Sequence, residues 1–86
     1  MEDLTKLPNI GAVLALQLQE IGIHTLEELQ EIGSRDAWLS IQKIDASACY
    51  NRLCALEGAI QGLSKKDLSV IDKQKLKEFY QNHKIK

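Results

Sequence analysis

Apolar residues recur at helical spacing along most of this chain, and glycines and helix-capping residues interrupt the pattern at short intervals. No stretch alternates cleanly between apolar and polar side chains, as a half-buried strand would over about four to eight residues. Short amphipathic helices must pack against one another to bury their apolar faces. The pattern therefore predicts an all-α fold, a compact bundle of five to six short helices.

The first helix is predicted from its apolar content. Residues 2–6 can form one short turn, which Pro8 and Gly11 separate from a helix over about residues 11–21. Apolar side chains are spread around much of this helix, so we expect it to be the central helix, buried on more than one side. Gly22 is expected to end it in the left-handed conformation.

Capping residues predict the next two helices. Thr25 and Glu28 form a capping box, in which the two residues satisfy amide donors reciprocally. The short helix that they open is expected to stop at Gly33, and Ser34 is expected to cap the following one. That helix carries Trp38, the only tryptophan, which we expect in the core.

The last two helices are also predicted from caps. Asp45 is expected to cap the longest helix, which Gly62 ends. Its apolar residues form a narrow stripe toward the core: Cys49, Leu53, Leu56, Ile60 and Leu63. Ser69 and Asp72 form a second capping pair. The helix that they open is expected to reach about residue 82 and to be anchored by Ile71, Leu76, Phe79 and Tyr80.

Length, hydropathy and charge limit the classes of function. A chain of 86 residues suffices for one domain, residues 1–86, but not for two cores. The longest apolar run, residues 12–16, cannot span a membrane, and no secretory signal is visible, so we expect a cytoplasmic protein without a membrane partner. A net charge of −1 gives the chain as a whole no polycationic surface.

The cysteines and histidines predict no reactive or metal site. Cys49 and Cys54 are five residues apart in one helix, about 8 to 9 Å between Cα atoms, which is beyond the reach of a disulfide. We expect them to be buried thiols. His24 and His83 have no partner at a metal-ligand spacing and are expected on the surface. The sequence predicts no enzyme, no cofactor and no small-molecule substrate, because it has no nucleophile with a matching acid or base.

A tight loop at residues 7–11, Leu-Pro-Asn-Ile-Gly, resembles a helix-hairpin-helix element. The pattern of that family has glycine where Asn9 stands, and asparagine tolerates the left-handed backbone better than other side chains. The amides after the loop make a phosphate or other anion site physically available at Asn9, Ile10, Gly11 and Ala12. The alternative is a hairpin that only turns one helix onto another.

Positive charge is concentrated in the C-terminal part of the chain. Residues 64–86 hold seven lysines against three acids, a net charge of +4. Lys73, Lys77 and Lys84 fall within about 40° of one another on a helix, and this stripe is either a solvated face or a surface for an acidic partner. Weak nucleic-acid binding through the hairpin would recruit Lys6, Lys65, Lys66 and the lysines of the last helix, although no basic residue lies between Lys6 and Arg35.

Small residues form a strip on the longest predicted helix, beside its leucine stripe. The strip consists of Ala48, Ala55, Gly58, Ala59 and Gly62, and Asn51 and Arg52 border it. A neighbouring helix can approach closely there, either from the same chain, for instance the C-terminal helix, or from a second copy or another protein. Arg52 is expected to pair with an acid of a neighbouring helix rather than with a ligand carboxylate.

Four segments together resemble the C-terminal domain of the TfoX (Sxy) competence regulators. They are residues 7–11, 22–29, 37–39 and 51–62, and the likeness extends from residue 4 to about residue 80. The most specific element is the run Ala-Leu-Glu-Gly-Ala-Ile-Gln-Gly at residues 55–62. The resemblance implies an α-helical, helix-hairpin-helix-like domain from proteins associated with inducing genes for DNA uptake. It implies no catalytic residues.

Two functions remain as hypotheses. The first is a small noncatalytic module that binds a protein partner or a second copy of itself, through the small-residue strip, exposed apolar positions or the lysine stripe. The second is sequence-independent nucleic-acid binding through the hairpin loop and Lys65, Lys66, Lys73 and Lys77.

Overall fold

The computed structural model of the protein describes residues 4–84, and these form five α-helices without a strand. The helices are α1 (Ala12–Glu20), α2 (Leu26–Ile32), α3 (Ser34–Ile44), α4 (Tyr50–Gln61) and α5 (Val70–His83). Two short 3-10 turns, Leu4–Lys6 and Lys65–Asp67, precede α1 and α5. The all-α prediction is confirmed. Residues 2 and 3 of the predicted first turn lie outside the described residues.

α4 is the central helix, because α2, α3, α5 and the turn Lys65–Asp67 all pack against it. Its residues 53–56, 58 and 59 are buried. The prediction that α1 is central is wrong. α1 buries Leu14, Ala15 and Leu18 on one side, whereas Val13 and Leu16 on the other side are 67% and 56% exposed. Apolar content alone did not show which of its sides the other helices would cover.

The core draws buried side chains from all five helices and from the loop before α1, and it includes the only tryptophan. Trp38 is fully buried, as predicted. Its ring makes edge contacts with Phe79 and Tyr80 of α5, with centroid distances of 6.1 and 5.6 Å. Such aromatic pairs add to the hydrophobic free energy of burial. Leu76 of α5 is buried as predicted, but Ile71 is 63% exposed, so the prediction that Ile71 anchors this helix is wrong.

Two of the predicted caps are present. The Thr25 hydroxyl accepts a hydrogen bond from the amide of Glu28 at 3.1 Å, and the Ser69 hydroxyl accepts one from the amide of Asp72 at 3.0 Å. The Glu28 carboxylate accepts from the amide of His24 at 2.8 Å, so the reciprocal bond of the box reaches one residue further back than predicted. These bonds satisfy amides that have no partner inside the helix.

Two other predicted caps are wrong. Ser34 is the first residue of α3, and its hydroxyl donates to the Glu57 carboxylate at 2.6 Å instead of capping. Asp45 ends α3, and its carboxylate accepts from the amide and hydroxyl of Ser47 in the loop before α4. α4 therefore begins five residues later, at Tyr50. With 12 residues it is shorter than α5, which has 14, so α4 is not the longest helix.

Glycines end α1 and α4 as predicted. Gly22 and Gly62 have positive φ angles of 90° and 75°. The amide of Ile23 donates to Leu18 and that of Leu63 donates to Gly58, both at 2.8 Å, which is the backbone pattern of a left-handed helix end. In each turn, backbone amides donate hydrogen bonds to carbonyls at the end of the helix, so no side chain is needed there.

The two thiols are free but differ in burial. Cys54 is buried, whereas Cys49 is exposed, so the prediction of two buried thiols is wrong for Cys49. The reason is the late start of α4, which places Cys49 before the first turn at the rim of a cleft. His24 and His83 are exposed, as predicted.

Candidate functional site

Asn9 connects the loop before α1 to the C-terminal end of α4 by hydrogen bonds. Asn9 has a positive φ of 69°, which fits the predicted left-handed backbone. Its side-chain oxygen accepts from the amide of Lys65 at 3.0 Å, and its side-chain nitrogen donates to the carbonyl of Leu63 at 2.9 Å. The polar atoms of the Asn9 side chain are therefore hydrogen-bonded to the backbone of the protein itself. The helix-hairpin-helix likeness itself stays a prediction, because the element before the loop is the 3-10 turn Leu4–Lys6.

Gly58 makes this close approach possible. A Cβ atom on Gly58 would lie 2.5 Å from the side-chain nitrogen of Asn9 and 2.8 Å from the carbonyl oxygen of Leu63. Gly58 and Ala59 are buried in the chain, which fits internal packing, the first of the two alternatives for the small-residue strip. The atoms closest to Gly58 belong to the loop before α1 and to the segment after α4, and not to the C-terminal helix that the sequence suggested as a neighbour. Gly62 is exposed and serves as a helix end.

A cleft of about 380 Å³ opens between the start of α1, the start of α4 and Lys65. We call it the α1–α4 cleft. It brings together residues that the sequence predicted separately, as anion ligands and as interface residues: Asn9, Gly11, Ala12, Lys65, Asn51, Arg52 and Ala55. Ile10, the remaining member of the predicted anion loop, is buried in the core. Val13, Leu14 and Cys49 complete the lining.

A second cleft, of about 300 Å³, adjoins the first. This α4–α5 cleft is lined by Tyr50, Asn51, Cys54, Lys65, Lys66 and Lys73, so that Asn51 and Lys65 belong to both clefts. The structure thus places three of the four predicted lysines in one surface region. Lys77 is exposed on α5 and lines neither cleft. Binding at any of these residues stays a prediction.

Arg52 is held in place by Asp45. The guanidinium donates to the Asp45 carboxylate at 2.9 Å, and Gln17 of α1 donates to the same carboxylate oxygen at 2.8 Å. The sequence predicted an acidic partner for Arg52 on a neighbouring helix. Asp45 lies directly after such a helix, at the C-terminal end of α3. Hydrogen bonds from Ser47, Gln17 and Arg52 hold the pKa of Asp45 well below its ordinary value. Asp45 is therefore negatively charged throughout the neutral pH range.

The phenol of Tyr50 adds no charge to the α4–α5 cleft. Its hydroxyl donates to the carbonyl of Lys73 at 3.1 Å. Burial, together with the neighbouring thiol of Cys54, raises the pKa of Tyr50 to about 12. The ring therefore stays neutral at physiological pH, and the lysines of this cleft do not face a phenolate.

Sequence reasoning missed two exposed apolar residues of α1, one of which, Val13, lines the α1–α4 cleft. Val13 and Leu16 are three residues apart, so they lie on the same face of α1. Both are more than half exposed, although their apolar character assigned them to the core. The sequence holds no signal that separates them from Leu14 and Leu18, because only the neighbouring helices decide which face of α1 is covered.

Neither a membrane segment nor a metal cluster emerges from the part of the chain that the structure describes. Between residues 4 and 84, no helix is long and apolar enough to cross a membrane. The same residues contain no group of three or more His, Cys, Asp or Glu side chains placed to hold a metal ion.

Fold and clefts together define the class of this protein. It is a small all-α module in which the loop before α1 is hydrogen-bonded to the end of the central helix α4, beside a surface region rich in lysine and arginine. A family model described as the TfoX C-terminal domain matches residues 1–80. The chain belongs to this family, and the resemblance inferred from the motifs is confirmed.

One curated relative supports this assignment, and two solved structures share the fold of this chain. Protein Sxy of Escherichia coli (strain K12) is 33% identical over 78 residues, which cover 91% of this chain but 37% of the length of Sxy. An uncharacterized protein from Listeria monocytogenes, in a triclinic crystal form, is 44% identical with a TM-score of 0.92, covering 94% of this chain and 92% of that chain. A protein of unknown function from the same organism, in a tetragonal form, is 45% identical with a TM-score of 0.87, covering 91% of this chain and 96% of that chain.

Proposed function

We propose that this chain is a noncatalytic regulatory module that acts in the cytoplasm by binding a protein partner, as one domain of the TfoX type. The observation that carries the proposal is the exposed apolar face of α1. Val13 and Leu16 are 67% and 56% exposed and lie on one side of the helix, and Val13 also lines the α1–α4 cleft. Exposed apolar side chains that adjoin a cleft are typical of surfaces that bind another protein.

The lining of the α1–α4 cleft supports a binding role over a catalytic one. Cys49 is its thiol, but no His, Asp or Glu is among the residues described as lining the cleft. A cysteine nucleophile is activated by a neighbouring base or by an environment that lowers its pKa. Arg52 could supply a positive charge, but it cannot accept the proton of the thiol.

Site-specific photocrosslinking tests the proposal. A photoreactive amino acid is placed at position 13, and in a matched control at position 31, where Glu31 is exposed on α2. Irradiation in the cells that make the protein is expected to give an adduct of one defined mass from position 13 and none from position 31. Adding Leu16→Asp to the position 13 variant is expected to abolish the adduct, because it places a charge on the apolar face.

The mass of the adduct identifies the kind of partner. Twice the chain mass of 9.7 kDa would indicate a second copy, and any other defined mass a different protein. Equal labelling from positions 13 and 31, or an adduct that Leu16→Asp leaves unchanged, would contradict a partner on the α1 face. The circular dichroism spectrum of each variant has to match that of the unmodified chain, so that unfolding is not the cause.

A further inference from the structure

The two adjoining clefts form one basic groove, and we propose that this groove receives an acidic, amphipathic segment of the partner protein. The carboxylates of that segment would face Arg52, Lys65, Lys66 and Lys73, while an apolar side chain packs against Val13. This inference rests on the proposed function and specifies the chemistry of the partner.

The charge of the groove is the first argument. The residues described as lining the two clefts include four cationic side chains, Arg52, Lys65, Lys66 and Lys73, and no carboxylate. The chain as a whole has a net charge of −1, with 12 acidic against 11 basic residues. Four of the 11 basic residues thus line this groove, and no acidic side chain among the residues described as lining it offsets them. A groove lined by one sign of charge attracts a ligand of the opposite sign more strongly than scattered charges do.

The placement of the cations is the second argument. The Nζ atom of Lys73 donates to the carbonyl of Lys66 at 3.0 Å, and Arg52 is bound to Asp45. Each side chain keeps further N–H donors, because an ammonium has three and a guanidinium has five. Holding long side chains in position before binding reduces the conformational entropy that binding removes. Lys65 and Lys66 are exposed at the mouth of the groove.

The apolar rim favours a protein segment over a nucleic acid. Val13 lines the α1–α4 cleft, and Leu16 follows on the same helix face. A single-stranded nucleic acid gains affinity by stacking its bases on aromatic rings. The only aromatic residue described in either lining is Tyr50, and its hydroxyl is bound to the backbone of Lys73. An amphipathic acidic peptide matches both the cations and the apolar rim.

Two synthetic peptides and one oligonucleotide test the inference. The acidic peptide, about 12 residues long, consists of Glu-Glu-Leu repeats, and its counterpart has Gln in place of Glu. The third probe is a single-stranded oligonucleotide of about 12 nucleotides. Titration of the isotope-labelled chain, followed by amide chemical shifts, is expected to move Ala12, Asn51 and Lys65 and to leave α2 unchanged. We expect the Gln peptide to bind at least about tenfold more weakly than the acidic peptide.

Charge reversal provides the matched control. The double variant Lys65→Glu and Lys66→Glu is expected to weaken binding of the acidic peptide by about tenfold or more. The control variant, Lys43→Glu and Lys75→Glu, has the same net charge, but its lysines line neither cleft. It is expected to change the affinity by less than about threefold, as a long-range, salt-screened effect.

Several outcomes would overturn the inference. Equal binding of the Glu and Gln peptides would show that charge does not select the ligand. Tighter binding of the oligonucleotide would assign the groove to nucleic acid. If the acidic peptide does not bind while the adduct at position 13 still forms, the inference fails but the proposed function stands. If the acidic peptide binds while that adduct is absent, the groove has the proposed chemistry but the partner face on α1 is wrong.

Discussion

α1 and α4 are both rich in apolar residues, yet the protein buries them to very different extents. α4 is covered by α2, α3, α5 and the turn Lys65–Asp67, and its Leu53 and Leu56 are fully buried. α1 packs with one face and leaves Val13 and Leu16 in solvent. The small residues of α4 explain part of the difference, because a helix surface with Gly58 and Ala59 allows neighbours to approach closely.

This difference separates what the apolar residues of the two helices contribute to stability. In α4 the apolar side chains contribute to the free energy of folding, since burial removes their surface from water. In α1 the exposed side chains of Val13 and Leu16 contribute much less of this free energy, because more than half of their surface stays in water. Substitutions in the two helices should therefore separate stability from binding, and the following predictions are ordered from the largest expected effect to the smallest.

The largest effect is expected in the layer of α3 that packs on α4. Trp38→Ala removes a fully buried indole and should lower the free energy of unfolding by about 3 to 5 kcal/mol. A chain of this length is expected to have about 4 to 13 kcal/mol in total, so the variant could fail to fold. Urea unfolding followed by circular dichroism measures the change.

Trp38→Phe is the control for that experiment. It keeps an aromatic ring beside Phe79 and Tyr80, so we expect a clearly smaller loss than for Trp38→Ala. Unfolding midpoints of both variants equal to that of the wild type would show that the tryptophan does not hold α3 in place.

A matched pair of leucines compares the two helices directly. Leu53→Ala in α4 should lower the free energy of unfolding by about 2 to 5 kcal/mol, because it leaves a cavity at a fully buried site. Leu16→Ala in α1, at a site that is 56% exposed, should change it by less than about 0.5 kcal/mol. Chemical denaturation of both variants provides the values. Similar losses would mean that α1 is as much a core helix as α4.

A matched pair of glycines tests the close contact between α4 and the loop before α1. Gly58→Ala puts a Cβ atom 2.8 Å from the carbonyl oxygen of Leu63, and we expect a loss of about 1 to 3 kcal/mol, even though alanine favours the helix. Gly11→Ala meets no atom within 4 Å at a φ of −89°, and should leave the stability unchanged or raise it by about 0.4 to 1 kcal/mol.

Thermal unfolding of the two glycine variants distinguishes these outcomes. A Gly58→Ala protein as stable as Gly11→Ala would show that the loop yields readily and that the glycine is not required there.

The smallest effect concerns Asp45, which joins the two helices by accepting hydrogen bonds from Gln17 of α1 and Arg52 of α4. Because the pKa of Asp45 is lowered on folding, its contribution to stability is fully present above its ordinary pKa of 3.8. It declines progressively as the pH falls below 3.8 toward the lowered pKa of the folded state. Asp45→Asn should therefore lower the melting temperature at pH 6, and the difference from the wild type should shrink toward pH 3.

Glu31→Gln is the control for the pH experiment, because it removes an exposed carboxylate of α2 and keeps Asp45. Its melting temperature should follow the wild-type pH profile. A difference between Asp45→Asn and the wild type that stays constant from pH 6 to pH 3 would contradict the assigned role of the carboxylate.

Much of the fold could be predicted from local sequence signals. Thr25 and Ser69 cap their helices with their own side chains, and Gly22 and Gly62 end theirs, because these effects involve residues within one turn. The failures come mainly from contacts between residues that are far apart in the sequence. Ser34 and Asp45 are good capping residues that found stronger partners elsewhere, namely Glu57 for the first, and Ser47, Gln17 and Arg52 for the second.

The candidate site was predicted only in pieces. The loop at Asn9, the border residues Asn51 and Arg52, and Lys65 with Lys66 each drew attention for a separate reason. Asn9 and Lys65, for instance, are 56 positions apart along the sequence, and no local pattern shows that they meet. Their assembly into one basic groove follows from the packing of α4 between the first loop and the turn before α5.

The amino-acid sequence by itself determined the helical class, most helix ends and the family. Helical periodicity and caps act over a few residues, and motifs can be compared directly with those of a known family. Tertiary structure decided which apolar helix is buried, that Asn9 reaches Leu63 and Lys65, and that four cations share a groove. These outcomes depend on contacts between residues far apart in the chain, and the free energy of such contacts is set by the whole packing arrangement.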